Sequence, residues 1–464
     1  MVKNEERTGI VISVGMNGEG IVKDEDTVVF VPFALPGEKI IYKILKVTKK
    51  CAYGKLLEVL TPAEERVRAK CPVFTKCGGC QLQHVKYTNQ LSIKEKNVSN
   101  CFKKIAGLDV EVKPAIKGDN EYFYRNKLQL PVAETENGAV IGFYAENSHR
   151  VIPISDCAIN GVWAKDVIRA FKCYLSTYAI AGYNEGNHSG VVREITVKEI
   201  GGNLIVTVVT LGESLPFKNE LIDILKRELR NEFSLYQNVN SAKTNVIYGN
   251  DFRLLHGKGE YSSETFGVKY KIGVRSFMQV NPSVCFKLYH TVVNSLDLDE
   301  NTTVIDAYSG AGLMTALLAS KAKKAVGIEI IKEAVSIAND LAKDNLLQDK
   351  IVNYCGKCEE LLPNIVKQEK GKVAIVLDPP RKGVDIKVLN AVIESCADKV
   401  AYVSCMPSTL ARDVGLLMGS LEERDGEIVR VENPNYRYEI DFIRPFDMFP
   451  QTKHIETLVV LSKK

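Results

Sequence analysis

Three polar segments of this chain each follow an apolar run that predicts a buried strand. Cys405 follows one such run, Asp378 opens the Asp-Pro-Pro-Arg segment after another, and a turn with Gly310 and Gly312 follows a third. Ligands of a doubly wound sheet bind outside the carboxyl ends of its strands, so we expect the three segments to meet in one crevice. A thiol, a carboxylate and a Gly-rich turn together predict nucleophilic catalysis beside a nucleoside-containing cofactor.

The Gly-rich turn has an acidic partner on the next predicted strand. Glycines let the backbone approach a ligand closely, and Glu329 lies 17 residues after Gly312, where an acid can accept both ribose hydroxyls. The turn lacks the full G-x-G-x-x-G of dinucleotide sites, and no Gly-Lys-Ser/Thr follows it. The pattern favours an S-adenosylmethionine-dependent methyltransferase over a nicotinamide enzyme or a sheet without a ligand.

Cys405 is the candidate nucleophile, and a buried structural cysteine is the alternative. The residue stands at the strand tip, where Met406-Pro407 ends the strand and Ser408-Thr409 begins a helix. A helix N-terminus predicts a lowered thiol pKa and hence a better nucleophile. Arg381 and Lys382 could contact phosphate.

Glu456 lies in the last predicted strand of the sequence. As a lone charge on an edge strand it would attract no attention. A thiol that adds to a pyrimidine leaves a carbon-bound proton to be removed, and a nearby carboxylate can remove it. Glu456 is therefore the candidate base.

A chain of 464 residues predicts two or three domains. Residues 1–60 show short alternating runs between Gly and Pro turns, which indicate a small OB-like β-barrel of a kind that often binds oligonucleotides. Residues 61–265 include a predicted helix from Thr88 to Gly107 and then mix strands and helices, which indicates a central α+β domain. Residues 266–464 repeat strand, turn and helix five times, the pattern of a doubly wound α/β domain.

The composition is that of a soluble globular protein, with 45% hydrophobic and 25% charged residues. A net charge of +4 permits nucleic-acid binding without requiring it. The charged start of the chain argues against a signal peptide, and no apolar stretch is long enough to span a membrane. Twelve cysteines in such a chain indicate reduced thiols, so we expect a cytoplasmic protein.

Four of the cysteines have the spacing of a metal site. Cys71, Cys77 and Cys80 cluster around Gly78-Gly79, and Cys157 lies 77 residues later. The spacing alone fits zinc and an iron–sulfur cluster equally. Cys355 and Cys358 resemble a second pair, but they fall where the third strand of the sheet should end and are expected to be structural. The remaining five are interpreted as packing residues: Cys51, Cys101, Cys173, Cys285 and Cys396.

Five motifs in this order resemble the RNA uracil-5-methyltransferases of the RumA and TrmA types. They are Phe277–Asn281, Asp306–Gly312, Asp378–Arg381, Ser404-Cys405 and His454–Glu456. The first sixty residues are similar to the TRAM RNA-binding barrel of that family. Met406 stands where an Asn is usual, which puts a polar contact in doubt but not the thiol.

The resemblance implies a role for each candidate residue. Cys405 would add to C6 of a uracil and Glu456 would accept the C5 proton. S-adenosylmethionine would be bound by Gln279, Tyr308, Glu329 and Asp378, and a 4Fe-4S cluster by Cys71, Cys77, Cys80 and Cys157. The implied substrate is a flipped uridine of 23S ribosomal RNA. A transfer-RNA uracil-5-methyltransferase, a cytosine-C5 enzyme and a noncatalytic RNA-binding or ribosome assembly factor are the alternatives.

Overall fold

The computed structural model describes residues 1–369 and 371–464 and divides into two compact units. Unit 1 comprises Met1–Ile93, Asn120–Glu260 and Phe449–Lys453, and unit 2 comprises Lys94–Asp119, Tyr261–Met448 and His454–Lys464. The domain boundaries expected after residues 60 and 265 stay predictions. Among the described residues, no helix combines the length and apolarity that crossing a membrane requires.

The start of unit 1 is the expected small barrel. Its strands are β1 (Glu6–Val14), β2 (Gly20–Asp24), β3 (Thr27–Val31), β4 (Lys39–Val47) and β5 (Ala52–Thr61), and they close in the order β1-β2-β3-β5-β4. The side chains of β4 alternate, with Ile40, Tyr42 and Ile44 fully buried, as the period of two in a strand requires. The predicted barrel is confirmed.

The helix expected from Thr88 to Gly107 forms in two parts. Helix α1 (Tyr87–Cys101) continues as a π-helical segment, Phe102–Ala106, and ends at Gly107 with a φ of 71°. The left-handed position at the end of a helix favours glycine, so the predicted helix end at Gly107 is confirmed.

The rest of unit 1 is a seven-stranded sheet in the order β12-β11-β10-β9-β6-β7-β8. Its strands are β6 (Lys127–Thr135), β7 (Gly138–Tyr144), β8 (Val151–Pro153), β9 (Val192–Ile200), β10 (Asn203–Thr210), β11 (Phe233–Val239) and β12 (Asp251–His256). Helices α2 (Trp163–Thr177) and α3 (Lys218–Glu228) share the core of this sheet. The expected α+β character of the central residues is confirmed.

Unit 2 contains the doubly wound sheet. After the hairpin β13 (Tyr261–Thr265) and β14 (Val268–Ile272) and helix α4 (Pro282–Ser295), five strand–helix pairs follow. They are β15 (Thr302–Ala307) with α5 (Leu313–Ala319), β16 (Lys324–Glu329) with α6 (Lys332–Asp344), β17 (Ile351–Cys355) with α7 (Cys358–Gln368), β18 (Lys372–Leu377) with α8 (Ile386–Ser395), and β19 (Lys399–Ser404) with α9 (Pro407–Met418). The apolar runs of β15, β18 and β19 are buried on both faces, as parallel strands between helix layers are.

Four further strands follow α9. Strands β20 (Leu421–Arg424) and β21 (Glu427–Arg430) form a hairpin, and β22 (Tyr438–Phe446) and β23 (Glu456–Lys463) complete the main sheet in the order β17-β16-β15-β18-β19-β23-β22. Strand β23 runs antiparallel to both of its neighbours. The expectation that Glu456 lies on an edge strand is therefore wrong, because β22 covers that edge.

Residues 94–119 contact residues 443–447 of unit 2, which lie far from them in the sequence. The Nζ of Lys94 lies 2.6 Å from Oδ1 of Asp447, and their side chains are 1% and 0% exposed. The backbone N–H groups of Lys113 and Ile116 donate to the carbonyls of Ile443 and Pro445 at 2.8 and 2.9 Å. This segment thus extends the sheet edge formed by β22.

Candidate active site

The strand order brings the predicted site residues of unit 2 to one edge of its sheet. Tyr308, Asp378 and Cys405 each follow a parallel strand by one residue, and Glu329 is the last residue of β16. Because β23 runs the other way, its first residue, Glu456, lies at this same edge. The predicted crevice therefore contains a thiol, three carboxyl groups and the Gly-rich turn.

Cys405 and Glu456 face each other across neighbouring strands. The last paired residues of β19 and β23 are Ser404 and Thr457, so Cys405 and Glu456 occupy the next position of the antiparallel ladder. Burial raises the pKa of the Cys405 thiol, and the Glu456 carboxyl raises it further. The guanidinium of Arg381 hydrogen-bonds to the thiol and opposes both effects. The prediction of a lowered thiol pKa at the helix N-terminus is therefore wrong, because burial and the Glu456 carboxyl raise it.

Glu456 is a buried acid with spare hydrogen-bonding capacity. Its side chain is 6% exposed, and its Oε2 has no hydrogen-bond partner among the described residues. Burial raises its pKa well above the usual range, the Asp378 carboxyl adds to this, and Arg381 opposes it. A carboxyl group in this state can take up a proton once it has ionised.

Asp306 and Asp378 form a second acidic pair. Asp306 is buried, accepts a hydrogen bond from Thr315 Oγ1 at 2.6 Å, and has its pKa raised to about 6, chiefly by burial. Asp378 reaches solvent at the strand end, yet protein atoms surround its carboxyl on most sides. This crowding and the nearby Asp306 raise the pKa of Asp378 to about 7. Because these two pKa values lie near neutral pH, each carboxyl can ionise there and accept a hydrogen bond from a ligand.

The Gly-rich turn is held by the acid on the neighbouring strand. The N–H of Gly310 donates to Oε2 of Glu329 at 3.0 Å, and the N–H of Ile331 donates to Oε1 at 2.8 Å. Gly310 and Gly312 have φ values of 54° and 83°, and no other atom lies within 4 Å of where a Cβ on Gly310 would stand. The turn thus borders open space beside a fixed carboxylate, an arrangement that fits a nucleoside.

Tyr308 adopts a left-handed conformation with a φ of 84° at the start of this turn. Such a backbone is strained for a residue with a side chain and is typical of functional sites. Its hydroxyl donates to the Cys358 sulfur. Cys358 is buried at the start of α7 and Cys355 ends β17, so this pair lies beside the turn, where a structural pair was expected.

Two residues of α4 extend the site beyond the sequence-based prediction. Cys285, expected to be a packing residue, is influenced by the Asp378 and Glu456 carboxyls and has its pKa raised to about 12, chiefly by burial. Tyr289 donates a hydrogen bond to Cys285 and also faces Asp378. Their i, i+4 spacing after the helix cap Asn281 was the available signal.

Asp413 is a further residue that the sequence-based prediction missed. This wholly buried carboxylate accepts hydrogen bonds from Tyr402 Oη at 2.6 Å and from the Val384 N–H at 2.9 Å. It also accepts from Arg412 Nε at 2.7 Å. It thereby ties β19, which precedes Cys405, to the segment that follows Asp378. A charged residue within the apolar α9 was the signal for it.

The four candidate metal ligands lie together in unit 1. Burial raises the pKa of Cys80 to about 12 and that of Cys157 to about 11, and the other thiols of the set add to both shifts. Within residues 1–369 and 371–464, no three His, Cys, Asp or Glu side chains are arranged to hold a metal ion. The four thiols are thus neighbours without forming a compact single-ion site.

Hydrogen-bond donors surround these sulfur atoms. The Gly79 N–H donates to Cys77 Sγ at 3.4 Å, and the N–H groups of Ile159 and Asn160 donate to Cys157. Gln83 donates to the Cys80 sulfur and accepts from the Cys71 N–H at 3.1 Å. Donors of this kind stabilise thiolates and tune the potential of an iron–sulfur cluster.

Comparison with known proteins identifies relatives along the whole chain. Residues 220–464 match the family model described as tRNA (Uracil-5-)-methyltransferase. An uncharacterized RNA methyltransferase of Clostridium acetobutylicum is 37% identical, with 99% of this chain and 98% of that protein aligned. Another from Halalkalibacterium halodurans is 39% identical, with 97% and 95% covered.

A solved structure has the same fold over nearly the full length. It is the Pyrococcus abyssi tRNA (uracil-54, C5)-methyltransferase in complex with S-adenosyl-L-homocysteine, with a TM-score of 0.76 and 24% identity. The match covers 98% of this chain and 100% of that structure. The predicted fold class is confirmed: a doubly wound α/β methyltransferase domain, a central α+β part and an N-terminal barrel.

Proposed function

Because this chain belongs to the tRNA (uracil-5-)-methyltransferase family, we propose that it methylates C5 of a specific uridine in 23S ribosomal RNA through a covalent adduct on Cys405. The chain is an S-adenosylmethionine-dependent RNA uracil-5-methyltransferase. The observation that carries the mechanism is the facing pair of Cys405 and Glu456 at the edge where the sheet presents its ligand site.

Cys405 begins the reaction as the nucleophile. Its thiol must first lose its proton to solvent, and the hydrogen bond from Arg381 stabilises the thiolate that forms. The sulfur then adds to C6 of the uracil, and the electron pair of the C5–C6 double bond makes C5 nucleophilic. Bound S-adenosylmethionine supplies the methyl group that C5 acquires.

Glu456 completes the reaction as the proton acceptor. After methylation C5 carries both the new methyl group and its original proton. The ionised Glu456 carboxylate removes that proton, the C5–C6 double bond re-forms, and the bond between C6 and the Cys405 sulfur breaks. The free Oε2 of Glu456 is the oxygen available for this transfer.

The cofactor residues fit a nucleoside that carries a sulfonium group. Glu329 is fixed beside the Gly-rich turn and would accept the ribose hydroxyls. Tyr308 and Asp378, which each follow a strand at this sheet edge, would form the rest of the pocket together with Gln279, which precedes α4 by three residues. The target base must leave its stack to reach this recessed pair, so a flipped uridine is the expected form of the substrate.

Cys71, Cys77, Cys80 and Cys157 would hold a 4Fe-4S cluster. The grouped thiols and the N–H groups directed at them support this proposal. Such a cluster would stabilise the fold of the central residues, as methylation requires no redox step.

Ribosomal RNA is proposed as the target because barrel and cysteine set occur together, a combination that resembles the ribosomal subgroup of the family. Transfer RNA is the second candidate, because the family model and the Pyrococcus abyssi structure both carry tRNA names. Mapping 5-methyluridine in both RNA classes from a deletion strain decides between them. Loss of the mark in 23S RNA supports the proposal, and loss confined to transfer RNA overturns it.

A further inference from the structure

Unit 2 contains a basic cavity beside the nucleophile segment. Its volume is about 460 Å³, and it lies against the first turn of α9. Ser408, Thr409, Arg412 and Arg430 provide its polar groups, and Ile105 and Leu421 contribute to its apolar wall. Neither arginine has a part in the proposed methyl transfer.

The guanidinium groups of both arginines donate hydrogen bonds to protein oxygens. Nη2 of Arg430 donates to the carbonyls of Lys103 and Lys104. In Arg412, Nε donates to Asp413 at 2.7 Å and Nη2 to the Lys382 carbonyl at 3.2 Å. Within the described part of the chain, this leaves Nη1 of Arg412 and both Nε and Nη1 of Arg430 without a partner. Such fixed donors are suited to an oxyanion.

The charged side chains that line the cavity are both cationic. Among the described residues that line it, Arg412 and Arg430 are the only charged ones. Arg412 is paired with the buried carboxylate of Asp413, its Nη2 lying 2.6 Å from Oδ1, so Arg430 supplies the cation of this lining that no carboxylate among the described residues pairs. A polyanion is the complementary ligand.

Residues that line the cavity are also close in sequence to the reacting groups. Ser408 follows Cys405 by three residues, and Thr409 Oγ1 donates to the Arg381 carbonyl at 3.3 Å. We propose that this cavity binds a backbone phosphate of the RNA next to the target uridine. The proposal rests on the proposed function only in taking RNA as the ligand. A phosphate held here would fix the position of the strand while the base occupies the site.

The test is the salt dependence of RNA binding by the full-length protein. The probe is a fluorescent oligouridylate of about 16 nucleotides, titrated from about 50 to about 200 mM salt. The variant is Arg430→Gln, and the matched control is Arg424→Gln. Arg424 lies on the same β-hairpin but does not line the cavity.

We expect Arg430→Gln to weaken binding severalfold at low salt and to lower the slope of log K against log[salt] by about 0.7, the value for one phosphate on a single strand. Arg424→Gln should leave both unchanged. The proposal is overturned if Arg430→Gln binds RNA with the affinity and slope of the wild type, or if both variants lose affinity equally. A weaker affinity with an unchanged slope also overturns it and would indicate a contact to a base or a sugar. Binding of S-adenosylmethionine by each variant verifies the fold.

The binding test and the proposed function can fail independently of each other. The position of 5-methyluridine tests which RNA is modified, whereas the salt slope measures phosphate contacts to any RNA. Saturating RNA should restore the turnover number of Arg430→Gln, because this residue holds the strand and does not touch the reacting atoms. A turnover number that stays low at saturation counts against a role limited to phosphate binding.

Discussion

Replacement of Glu456 by Gln should stop the reaction after methyl transfer, with the RNA still attached to the protein. The amide has the shape of the acid but cannot accept the C5 proton. Addition of Cys405 and methylation of C5 both precede that step, so neither needs the ionised carboxylate. The adduct should therefore form and persist in this variant.

The size of the effect follows from the surroundings of Glu456. Its Oε2 has no hydrogen-bond partner among the described residues, so little in the protein can substitute for it. A positioned general base contributes about 10²- to 10⁴-fold, and we expect turnover to fall by that factor. Because burial raises the pKa of Glu456 and so disfavours its charged form, a neutral amide of the same shape should change the melting temperature by less than about 3 °C.

The assay is a denaturing gel of labelled RNA incubated with the variant and S-adenosylmethionine. Glu439→Gln is the matched control, because Glu439 is an exposed residue of the neighbouring β22. Combining Cys405→Ala with Glu456→Gln should remove the adduct. If Glu456→Gln alone gives no protein–RNA band while the wild-type protein is active, Glu456 is not the proton acceptor.

Four further predictions concern the same sites. Cys405→Ala should abolish methylation and leave the affinity for S-adenosylmethionine within about twofold, by calorimetry; residual turnover would refute its role as the nucleophile. The wild-type kcat/KM should rise about tenfold per pH unit near neutrality, because the raised pKa of Cys405 means that its thiol must lose a proton first; a flat profile would contradict this. Protein purified without air should be brown and contain about four irons per chain, and Cys157→Ser should lose most of the colour; stoichiometric zinc instead would refute the cluster. Asp306→Asn should raise the free energy of unfolding near pH 7.5 by up to about 3 kcal/mol. Burial raises the pKa of Asp306 to about 6, so the wild-type protein loses stability as pH rises from about 4 through 6, and the neutral amide avoids this loss. Denaturant titrations at both ends of that range check this, and a destabilised variant at pH 7.5 would be the contrary result.

Features set by local sequence were predicted well. Gly107 ended its helix where a left-handed residue is needed, and the first sixty residues closed into the predicted barrel. The placing of Asp378 and Cys405 at one sheet edge followed from a general rule of parallel sheets, which needs only the order of strands and helices.

Features set by pairing between distant segments were not predictable in the same way. Nothing within residues 454–461 reveals that β22 will cover β23, so Glu456 was placed on an edge strand. The pKa of Cys405 depends on how deeply the thiol is buried and on which carboxyl faces it, and the local helix start contains neither fact. Asp413 was missed for the same reason, because its partners Val384 and Tyr402 lie on two other segments of the chain.

The buried pair of Lys94 and Asp447 limits how this protein can be divided or recombined. A gene fragment that starts at residue 261 would encode the whole cofactor sheet but lack Lys94 and the segment that borders β22. The fragment would thus lose the buried ion pair of Lys94 and Asp447, and breaking such a pair by removing one partner costs about 3–5 kcal/mol. Exchange of catalytic parts between relatives by a single crossover should therefore yield poorly folded chimaeras, whereas a transplant that also carries residues 94–119 should fold.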